Sequence, residues 1–358
     1  MNRNQISKNL FVLNIIILFI NYFLFLKKTN NILLKKLHFK FIDLFLLKNY
    51  FIKSNFYDIE TNNKRKNKTI VLYFEDIFIR TVFNIIKMLE KKKYNVKISS
   101  DHPDYLIYNV FGCNHLKKIY NNSIKIAYYT ENQIPDFTIA DYAISQHHIH
   151  YYDRYFKFPH FLNILIRLKN KFDYIRNKNL NIKKKKFCAA VISNYKSTDK
   201  FRLKFIKELN KYKKVDMGGK YNNNVGKINN KIEFFSLYKF TIAMENSEGD
   251  GYASEKIIDS FLSGSIPIYY GDYMIDEYIN PKSFILIRGE KDMIKKINYI
   301  KKIDNNEQLY NNILKEKILI NKNISNCIFR EYYEFLLHIF EQDKSKAKRI
   351  NNYRNNPY

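Results

Sequence analysis

A strand–loop–helix–strand pattern in the second half of the chain constrains the fold more than any other feature. The apolar run Phe240–Met244 predicts a strand, and Glu255–Leu262 predicts a helix that Ser254 caps and Gly264 ends. A second apolar run, Ile266–Tyr270, predicts the next strand. Two parallel strands joined by a helix form a βαβ crossover, whose ligand site lies beyond the carboxyl ends of the strands. We therefore expect a parallel sheet with a ligand site in the loop before the helix.

Short apolar runs alternate with helical patterns on both sides of this unit, which predicts an α/β fold. The pattern indicates two successive α/β domains, at residues 66–168 and 187–330, with a cleft between them. The charged, turn-poor stretch Lys169–Lys186 is predicted to connect them, and residues 331–358 to form a C-terminal helix and a basic tail.

The N-terminal region carries an uncharged apolar run, Leu10–Leu26, after a short tail at residues 1–9. The run has the minimum length of a membrane-spanning helix, so an anchor and a buried or interfacial helix are both open. No small-residue cleavage site follows it, which favours a retained single-pass anchor in a secretory-type membrane. Residues 27–65 contain a basic amphipathic pattern, typical of a helix that lies on a membrane or acts as a stem.

The net charge is strongly positive, at +28 from 62 Lys and Arg against 34 Asp and Glu. A polyanionic partner is one explanation. Coding bias is another, because Lys, Asn, Ile, Tyr and Phe are abundant while Gly, Pro and Trp are scarce. The excess is spread along the chain, whereas a nucleic-acid site concentrates it on one element. We expect no nucleic-acid partner.

The loop before the crossover helix has the composition of a phosphate site. Gly249 and Gly251 allow the backbone to approach a ligand closely, and the N-terminus of the helix presents free N–H groups. Lys256 lies in the first turn, where a cation is unfavourable for the helix dipole unless an anion is near. Glu255 can accept hydrogen bonds from ribose hydroxyls. An ordinary capped helix after a polar loop explains the same residues equally well.

Arg202 is a second candidate for a phosphate contact. It lies in the first turns of a helix predicted at Lys200–Tyr212, directly after the strand Phe187–Ser193. Its planar guanidinium suits bidentate pairing with a phosphate. A solvated arginine on a helix surface is the alternative.

The histidines His147, His148 and His150 raise the question of a metal site. Adjacent side chains point apart on any regular element, and no carboxylate pair accompanies the three at a suitable spacing in the sequence. We predict no metal site.

Three strings of the crossover together resemble the signature of the α1,3-fucosyltransferase family, glycosyltransferase family 10. They are Phe240–Asn246, Tyr252–Lys256 and Ile266–Gly271, with Met244 in place of the family's usual phenylalanine. The resemblance implies two Rossmann-like lobes, the GT-B type of glycosyltransferase fold, with the donor in the second lobe and the acceptor in the first. The fold expected for the whole chain adds an N-terminal apolar helix.

The resemblance also implies an activity, the transfer of fucose from GDP-fucose to a glycan or glycoprotein with inversion at the anomeric carbon. The implied acceptor is the 3-hydroxyl of a GlcNAc-type sugar. The donor-binding residues implied are Arg202, Asn246, Tyr252, Glu255 and Lys256. No metal is required when cations and a helix N-terminus stabilise the leaving group, although relatives in animals leave stimulation by Mn²⁺ open.

The segment Tyr128–Asn132, followed by Pro135 and Asp141–Ile144, resembles the family's first-lobe motif. The glutamate of that motif is the family's proposed general base and corresponds to Glu131, although the glycine before it is missing here. Asp153–Tyr155 resembles a further family segment, in which Arg154 has either a functional or a structural role. Two other functions stay open: a transferase with another nucleotide-sugar donor, and a membrane-anchored glycan-binding protein without turnover.

Overall fold

The structure is a computed structural model, and it describes residues 68–168, 171–193, 200–247 and 249–350. The predicted N-terminal tail, membrane anchor and amphipathic stem, residues 1–65, lie outside the described residues. Within those described ranges, no helix is both long enough and apolar enough to cross a membrane.

Residues 78–95 belong to a compact unit separate from that of residues 69–77 and the chain after residue 95. They contain the helix α1, Ile79–Lys91, in which Ile85, Met88 and Leu89 are buried. The spacing of these three residues places them on one face of the helix, as expected of an amphipathic helix.

The larger unit begins with a six-stranded sheet in the order β2-β1-β3-β4-β5-β6. Its strands are β1 Thr69–Glu75, β2 Asn95–Ile98, β3 Tyr105–Tyr108, β4 Ile124–Tyr128, β5 Tyr142–Ser145 and β6 Tyr155–Lys157. The pairs from β1 through β6 are parallel. Every residue of β3, β4 and β5 is buried, as in a parallel sheet that is covered on both faces.

A second parallel sheet has five strands in the order β11-β10-β9-β7-β8. Its strands are β7 Lys186–Ile192, β8 Val215–Gly219, β9 Tyr238–Met244, β10 Ile266–Tyr270 and β11 Ile285–Leu286. The remaining helices are α2 His160–Leu168, α3 Lys171–Leu180, α4 Lys200–Asn210, α5 Lys231–Phe235, α6 Lys256–Leu262, α7 Glu290–Asp304, α8 Glu307–Lys315, α9 Ile324–Glu341 and α10 Lys344–Ala347.

Two apolar clusters cover the two faces of this second sheet. One joins β7 and β9 to α4, α7 and α8, with Phe205 and Ile300 fully buried. The other joins β9 and β10 to α2 and α6, with Phe161 and Ile257 fully buried. The crossover helix α6 thus lies under the sheet, and the loop before it stays at the carboxyl ends of β9 and β10.

The predicted α/β fold with parallel sheets is confirmed, and the predicted crossover forms β9, α6 and β10. The stretch Lys169–Lys186 contains α3 and ends in the first residue of β7, and its role as the connection between two domains stays a prediction. The assignment of an acceptor-side and a donor-side lobe stays a prediction.

Lys184, in the middle of that charged stretch, ties three helix ends together. Its Nζ donates to the carbonyl oxygens of Asn179, Ser236 and Ser263, at 3.1, 2.7 and 2.8 Å. Asn179 is in the last turn of α3, and the two serines are the C-caps of α5 and α6. The last carbonyls of a helix have no partner within the helix, so a single ammonium satisfies three of them.

The helix α9 returns to the first sheet and packs on it through aromatic side chains. Tyr332 stacks on Phe158 with ring centroids 4.8 Å apart, and Phe340 meets Tyr105 edge-on at 4.8 Å. The residues that follow are held by the same sheet, where Lys348 Nζ lies 3.1 Å from a carboxylate oxygen of Asp141. The predicted C-terminal helix therefore begins before residue 331 and covers the first sheet.

Candidate active site

The carboxyl end of β9 leads directly into a buried carboxylate, Glu245, which has no exposed surface. Oε1 of Glu245 accepts from the backbone N–H of Ser254 at 2.8 Å. The Ser254 hydroxyl oxygen lies 2.8 Å from each of the two carboxylate oxygens of Glu245. The prediction of Ser254 as the N-cap is wrong, because Glu245 engages its hydroxyl. Glu255 occupies the N-cap position without a side-chain capping bond, and α6 begins at Lys256.

Lys256 points its ammonium group at the same carboxylate. Its Nζ donates to Glu245 Oε2 at 2.7 Å and to the Ser254 hydroxyl at 2.8 Å. Burial opposes the charge, but the carboxylates of Glu245 and Glu255 outweigh burial and raise the pKa of Lys256. Lys256 is therefore a fixed ammonium that spends two of its three N–H donors on these partners.

Arg202 lies beside this group, buried on α4 with only 3% of its surface exposed. The alternative of a solvated arginine is therefore wrong. Its Nη1 donates to the carbonyl oxygen of Met244, the last residue of β9, at 3.3 Å. The charge of Arg202 acts to lower the pKa of Lys256 and of Tyr252, so the two cations lie within electrostatic reach of each other.

Tyr252 and Asn246 form a pair across the loop between β9 and α6. The Tyr252 hydroxyl donates to Asn246 Oδ1 at 3.3 Å. Burial, followed by the negative charges of Glu245, Glu131 and Glu255, raises the pKa of Tyr252, so its phenol stays protonated. The action of Glu131 on Tyr252 also shows that the first-sheet glutamate lies near the second-sheet loop.

Glu255 is partly accessible, with 44% of its side chain exposed. Burial acts to raise the pKa of Glu255, but the positive charges of Lys256 and Lys231 outweigh burial. The pKa of Glu255 therefore lies below its ordinary value. Glu255 is thus an ionised hydrogen-bond acceptor at the N-terminus of α6, where negative charge is favourable.

Glu131 follows β4 and has an exposed side chain. The residues on either side of it are tied to other parts of the site. The carbonyl oxygen of Thr130 accepts from Gln146 Nε2 at 2.8 Å, and Asn132 Nδ2 donates to the Ser247 hydroxyl at 2.8 Å. All six residues predicted for the site therefore lie around the adjoining carboxyl ends of β4 and β9.

Gly249 and Gly251, the two glycines of the loop before α6, are packed against residues of the first half of the chain, which the sequence did not predict. A Cβ atom on Gly249 would lie 2.3 Å from Asn132 Oδ1, and one on Gly251 would lie 2.0 Å from the carbonyl oxygen of Gln146. Gly251 also has a φ of +93°, which favours glycine. The described contacts show that these glycines let the loop approach the first sheet, whereas the sequence indicated approach to a ligand.

The histidine segment contributes to the site in two separate ways. Burial lowers the pKa of His147, and its Nε2 lies 3.0 Å from Asn132 Oδ1. The neutral ring therefore places an N–H against the Asn132 carbonyl oxygen. His148 turns the other way, with its Nε2 3.3 Å from a carboxylate oxygen of Asp272.

Across the described ranges, one group of side chains has the composition of a metal site: His148, Asp250 and Asp272, with ligand atoms within 4.8 Å of one another. No sequence pattern indicated this carboxylate pair, because the aspartates lie in two loops that only the fold brings together. Lys157 Nζ lies 2.8 and 2.9 Å from the two ring nitrogens of His148. The ammonium of Lys157 supplies a cation in the same place, and a metal ion would have to displace it.

Sequence reasoning missed three residues that organise the site: Glu245, Asn132 and Gln146. Glu245 carried a signal, because an acidic residue at the end of a continuously apolar strand must find a buried partner. Asn132 and Gln146 carried none, since their partners lie more than 100 residues away, at separations of 115 for Asn132–Ser247 and 107 for Gln146–Ala253.

Two parallel sheets, with cations gathered at the carboxyl end of a central strand, define an α/β protein with a site suited to an anionic ligand. Family models cover most of both sheets. The model described as "Alpha-(1,3)-fucosyltransferase FucT N-terminal domain" matches residues 71–164, and "Glycosyltransferase family 10 (fucosyltransferase) C-term" matches residues 181–325. The chain belongs to glycosyltransferase family 10.

Curated relatives agree with this assignment. Alpha-(1,3)-fucosyltransferase FucT of Helicobacter pylori is 28% identical over 300 residues, covering 73% of this chain and 62% of that protein. Putative fucosyltransferase R654 of Acanthamoeba polyphaga mimivirus is 36% identical over 169 residues, 44% of this chain and 27% of that protein. The chain thus spans less than two thirds of the length of these curated relatives.

Solved structures have the same fold. A crystal structure of an α1,3-fucosyltransferase with GDP-fucose superposes with a TM-score of 0.61 and 25% sequence identity. The match covers 78% of this chain and 94% of that chain. A second crystal structure of an α1,3-fucosyltransferase gives a TM-score of 0.64 at 25% identity, over 80% of this chain and 94% of that chain.

Proposed function

We propose that this protein transfers L-fucose from GDP-fucose to a hydroxyl group of a glycan or glycoprotein, with inversion at the anomeric carbon. The observation that carries the proposal is the convergence of Lys256 and Arg202 at the carboxyl end of β9, in a chain of glycosyltransferase family 10. A solved relative, described as an α1,3-fucosyltransferase with GDP-fucose, supports GDP-fucose as the donor. We propose the 3-hydroxyl of a GlcNAc-type sugar as the acceptor.

The donor diphosphate is held by Lys256 and Arg202. Lys256 keeps one N–H donor beyond those used by Glu245 and Ser254. Arg202 adds a second positive charge from the neighbouring helix. Glu255, ionised and partly exposed, accepts hydrogen bonds from the ribose hydroxyls. Asn246 and Tyr252 complete the donor site from the loop between β9 and α6.

The chemical step is a single displacement. The Glu131 carboxylate removes the proton of the acceptor hydroxyl while that oxygen forms a bond to the fucose anomeric carbon. The bond from this carbon to the β-phosphate oxygen breaks on the opposite face, and the electron pair leaves with GDP. Lys256 and Arg202 meet the negative charge as it develops, so they stabilise the transition state more than the bound donor. The β-linkage of the donor becomes an α-linkage in the product.

We propose that the reaction requires no metal ion, because the positive charges of Lys256 and the buried Arg202 can stabilise the leaving group. Mn²⁺ can still stimulate turnover by binding GDP-fucose or by displacing Lys157 from the cluster at His148. Turnover after dialysis against EDTA, with and without added Mn²⁺, separates a required metal from a stimulating one.

We further propose that residues 10–26 anchor the protein in a secretory-type membrane as a single span, with residues 27–65 as a basic stem. The support is the sequence alone: an uncharged apolar run closed by lysines and followed by a basic amphipathic pattern.

The decisive experiment measures release of the nucleoside diphosphate, GDP or UDP, by the full-length protein in detergent. GDP-fucose, GDP-mannose and UDP-galactose are compared, each with an array of glycan acceptors. We expect turnover with GDP-fucose alone, and NMR of the product should show an α-linked fucose. Faster turnover with another donor would assign a different nucleotide-sugar transferase. Acceptor binding without release of any nucleotide would assign a glycan-binding protein.

A further inference from the structure

Two polar side chains of the first sheet connect the loop that carries Glu131 to the loop before α6. We name residues 129–133 the base loop, and we name the described residues 245–247 and 249–254 the donor loop. We propose that Asn132 and Gln146 are positioning residues, which lock the base loop to the donor loop so that Glu131 and the bound donor keep one relative geometry. The inference rests on the proposed function, since it assigns these residues to the placement of the base.

Asn132 makes the direct connection between the loops. Its Nδ2 donates to the Ser247 hydroxyl of the donor loop at 2.8 Å, and its Oδ1 lies 3.0 Å from His147 Nε2. Gly249 lies against the same amide, so closely that a Cβ there would fall 2.3 Å from Oδ1. The Asn132 side chain is therefore enclosed by the donor loop on one side and by a buried histidine on the other.

Gln146 makes a second connection from the end of β5. It has no exposed surface. Its Nε2 donates to the carbonyl oxygen of Thr130 in the base loop at 2.8 Å. Its Oε1 accepts from the backbone N–H of Ala253 in the donor loop at 3.2 Å and from that of His160 at 3.1 Å. A buried amide that bonds two loops and a helix start fixes all three, because leaving any partner unpaired is costly.

Backbone hydrogen bonds also connect the donor loop to the residues that follow β5 and β6. His148 N–H donates to the carbonyl oxygen of Asp250 at 3.3 Å, and Phe161 N–H donates to that of Ala253 at 3.2 Å. The carbonyl oxygen of Gln146 lies where a Cβ of Gly251 would be, 2.0 Å away. The donor loop is thus laid against the first sheet along residues 249–253.

These contacts bracket Glu131 in the sequence, since Thr130 and Asn132 are its neighbours. Lys256 and Arg202 lie on α6 and α4, outside the bonds that Asn132 and Gln146 make. Loss of the connection should therefore displace the base and leave the diphosphate contacts in place. Positioning acts on the chemical step, where a displacement of about 1 Å costs about 10²-fold in rate.

A double-mutant cycle on the full-length protein tests the direct connection. Asn132→Ala and Ser247→Ala should each lower kcat by about 10²-fold, with GDP affinity and Tm close to those of the wild type. The double variant should be no slower than Asn132→Ala alone, because both substitutions remove the bond between Asn132 and Ser247. Asn132→Asp cannot donate to the Ser247 hydroxyl but can accept from it, and it can still accept from His147, so it should retain more activity than Asn132→Ala. Gln308→Ala, an exposed amide on α8, is the matched control and should behave as wild type.

Gln146→Met tests the second connection, with the same expected fall in kcat. If Gln146→Met does not fold, the double-mutant cycle on Asn132 and Ser247 tests the proposal. Multiplied losses in the double variant, or a fall in GDP affinity equal to the fall in kcat, would overturn the proposal.

Failure of the proposed function is recognised separately, as a wild-type protein that releases no GDP from GDP-fucose. The connection between the loops is then read by hydrogen exchange. Ser247→Ala, on the donor loop, should accelerate amide exchange at residues 129–133 of the base loop. Unchanged exchange there would overturn the connection whatever the reaction.

Discussion

The Nζ atom of Lys256 lies 2.7 Å from Oε2 of Glu245, a carboxylate with no exposed surface. This pair explains how a lysine is tolerated in the first turn of a helix, where the dipole disfavours it. The buried carboxylate fixes the direction of the ammonium and offsets its charge before any ligand binds. A phosphate that arrives finds a preorganised donor, which costs less to bind than a mobile one.

Lys256→Met should weaken GDP binding far more than guanosine binding, because we propose that the ammonium binds the diphosphate. A charge-assisted hydrogen bond contributes about 1.5–3 kcal/mol, or about 10- to 150-fold in affinity. The variant should also unfold more easily, since Glu245 loses its counter-charge. Adding Glu245→Gln should recover Tm without recovering GDP affinity. Calorimetry with both ligands checks this, and equal losses for guanosine and GDP would mean a purely structural lysine.

Arg202→Lys keeps a positive charge on α4 but loses the planar fork that suits a phosphate. We expect GDP affinity to fall by about tenfold or more, at the lower end of a charge-assisted contact, while guanosine affinity stays near wild type. Lys204→Ala on the same helix is the control, because that side chain is half-exposed and pairs with Glu290. A control that loses as much GDP affinity as Arg202→Lys would contradict the assignment.

Glu131→Gln should fold like the wild type, because the side chain is exposed. Removing a general base should lower kcat by about 10²- to 10⁴-fold. GDP affinity should barely change, since Glu131 follows β4 and the residues proposed to bind the diphosphate are on α4 and α6. Single-turnover kinetics with GDP-fucose provide the measurement. Full activity in the variant would assign the base to another residue.

Lys184 should give the protein a measurable pH dependence of stability. Burial lowers the pKa of Lys184 to about 8 from the model-peptide value of 10.5. Above pH 8 the folded lysine loses its proton while the unfolded lysine keeps it, so this residue adds stability as the pH rises toward 10 and loses it as the pH falls through 8. Denaturant titrations of wild type and Lys184→Met between pH 7 and pH 10 should therefore diverge with rising pH.

At pH 7 the same variant should be less stable than wild type by about 1–3 kcal/mol, because three helix-end carbonyls lose their partner. Lys183→Met, an exposed neighbour, is the matched control and should show neither effect. Parallel curves for wild type and Lys184→Met across this range would show that the residue does not titrate there.

Membrane attachment through residues 10–26 predicts that the full-length protein sediments with membranes and resists both high salt and carbonate. Attachment through the basic stem alone would be released by salt, because surface electrostatics are screened. Deletion of residues 1–28 distinguishes these two cases in the same fractionation. A full-length protein that stays in the supernatant without detergent would contradict the anchor.

The sequence was sufficient for the fold class and for most of the candidate site. Strands and helices depend on local patterns of apolar residues, so β9, α6 and β10 could be predicted from Phe240–Tyr270 alone. Arg202 and Lys256 were found because each lies in the first turn of a helix that follows a strand. The parallel sheet then brings such positions to one edge.

Only the tertiary structure decided what surrounds these residues. The partners of Glu245, the enclosure of Asn132 and the meeting of His148 with Asp250 and Asp272 all join loops that are distant in the chain. The loop glycines, which the sequence indicated for ligand approach, are needed for contact with the first sheet. The local periodicity of apolar residues indicates which segments form strands and helices and which face of each is buried. The pairing of polar side chains between loops depends on how two sheets pack, and no local pattern contains that information.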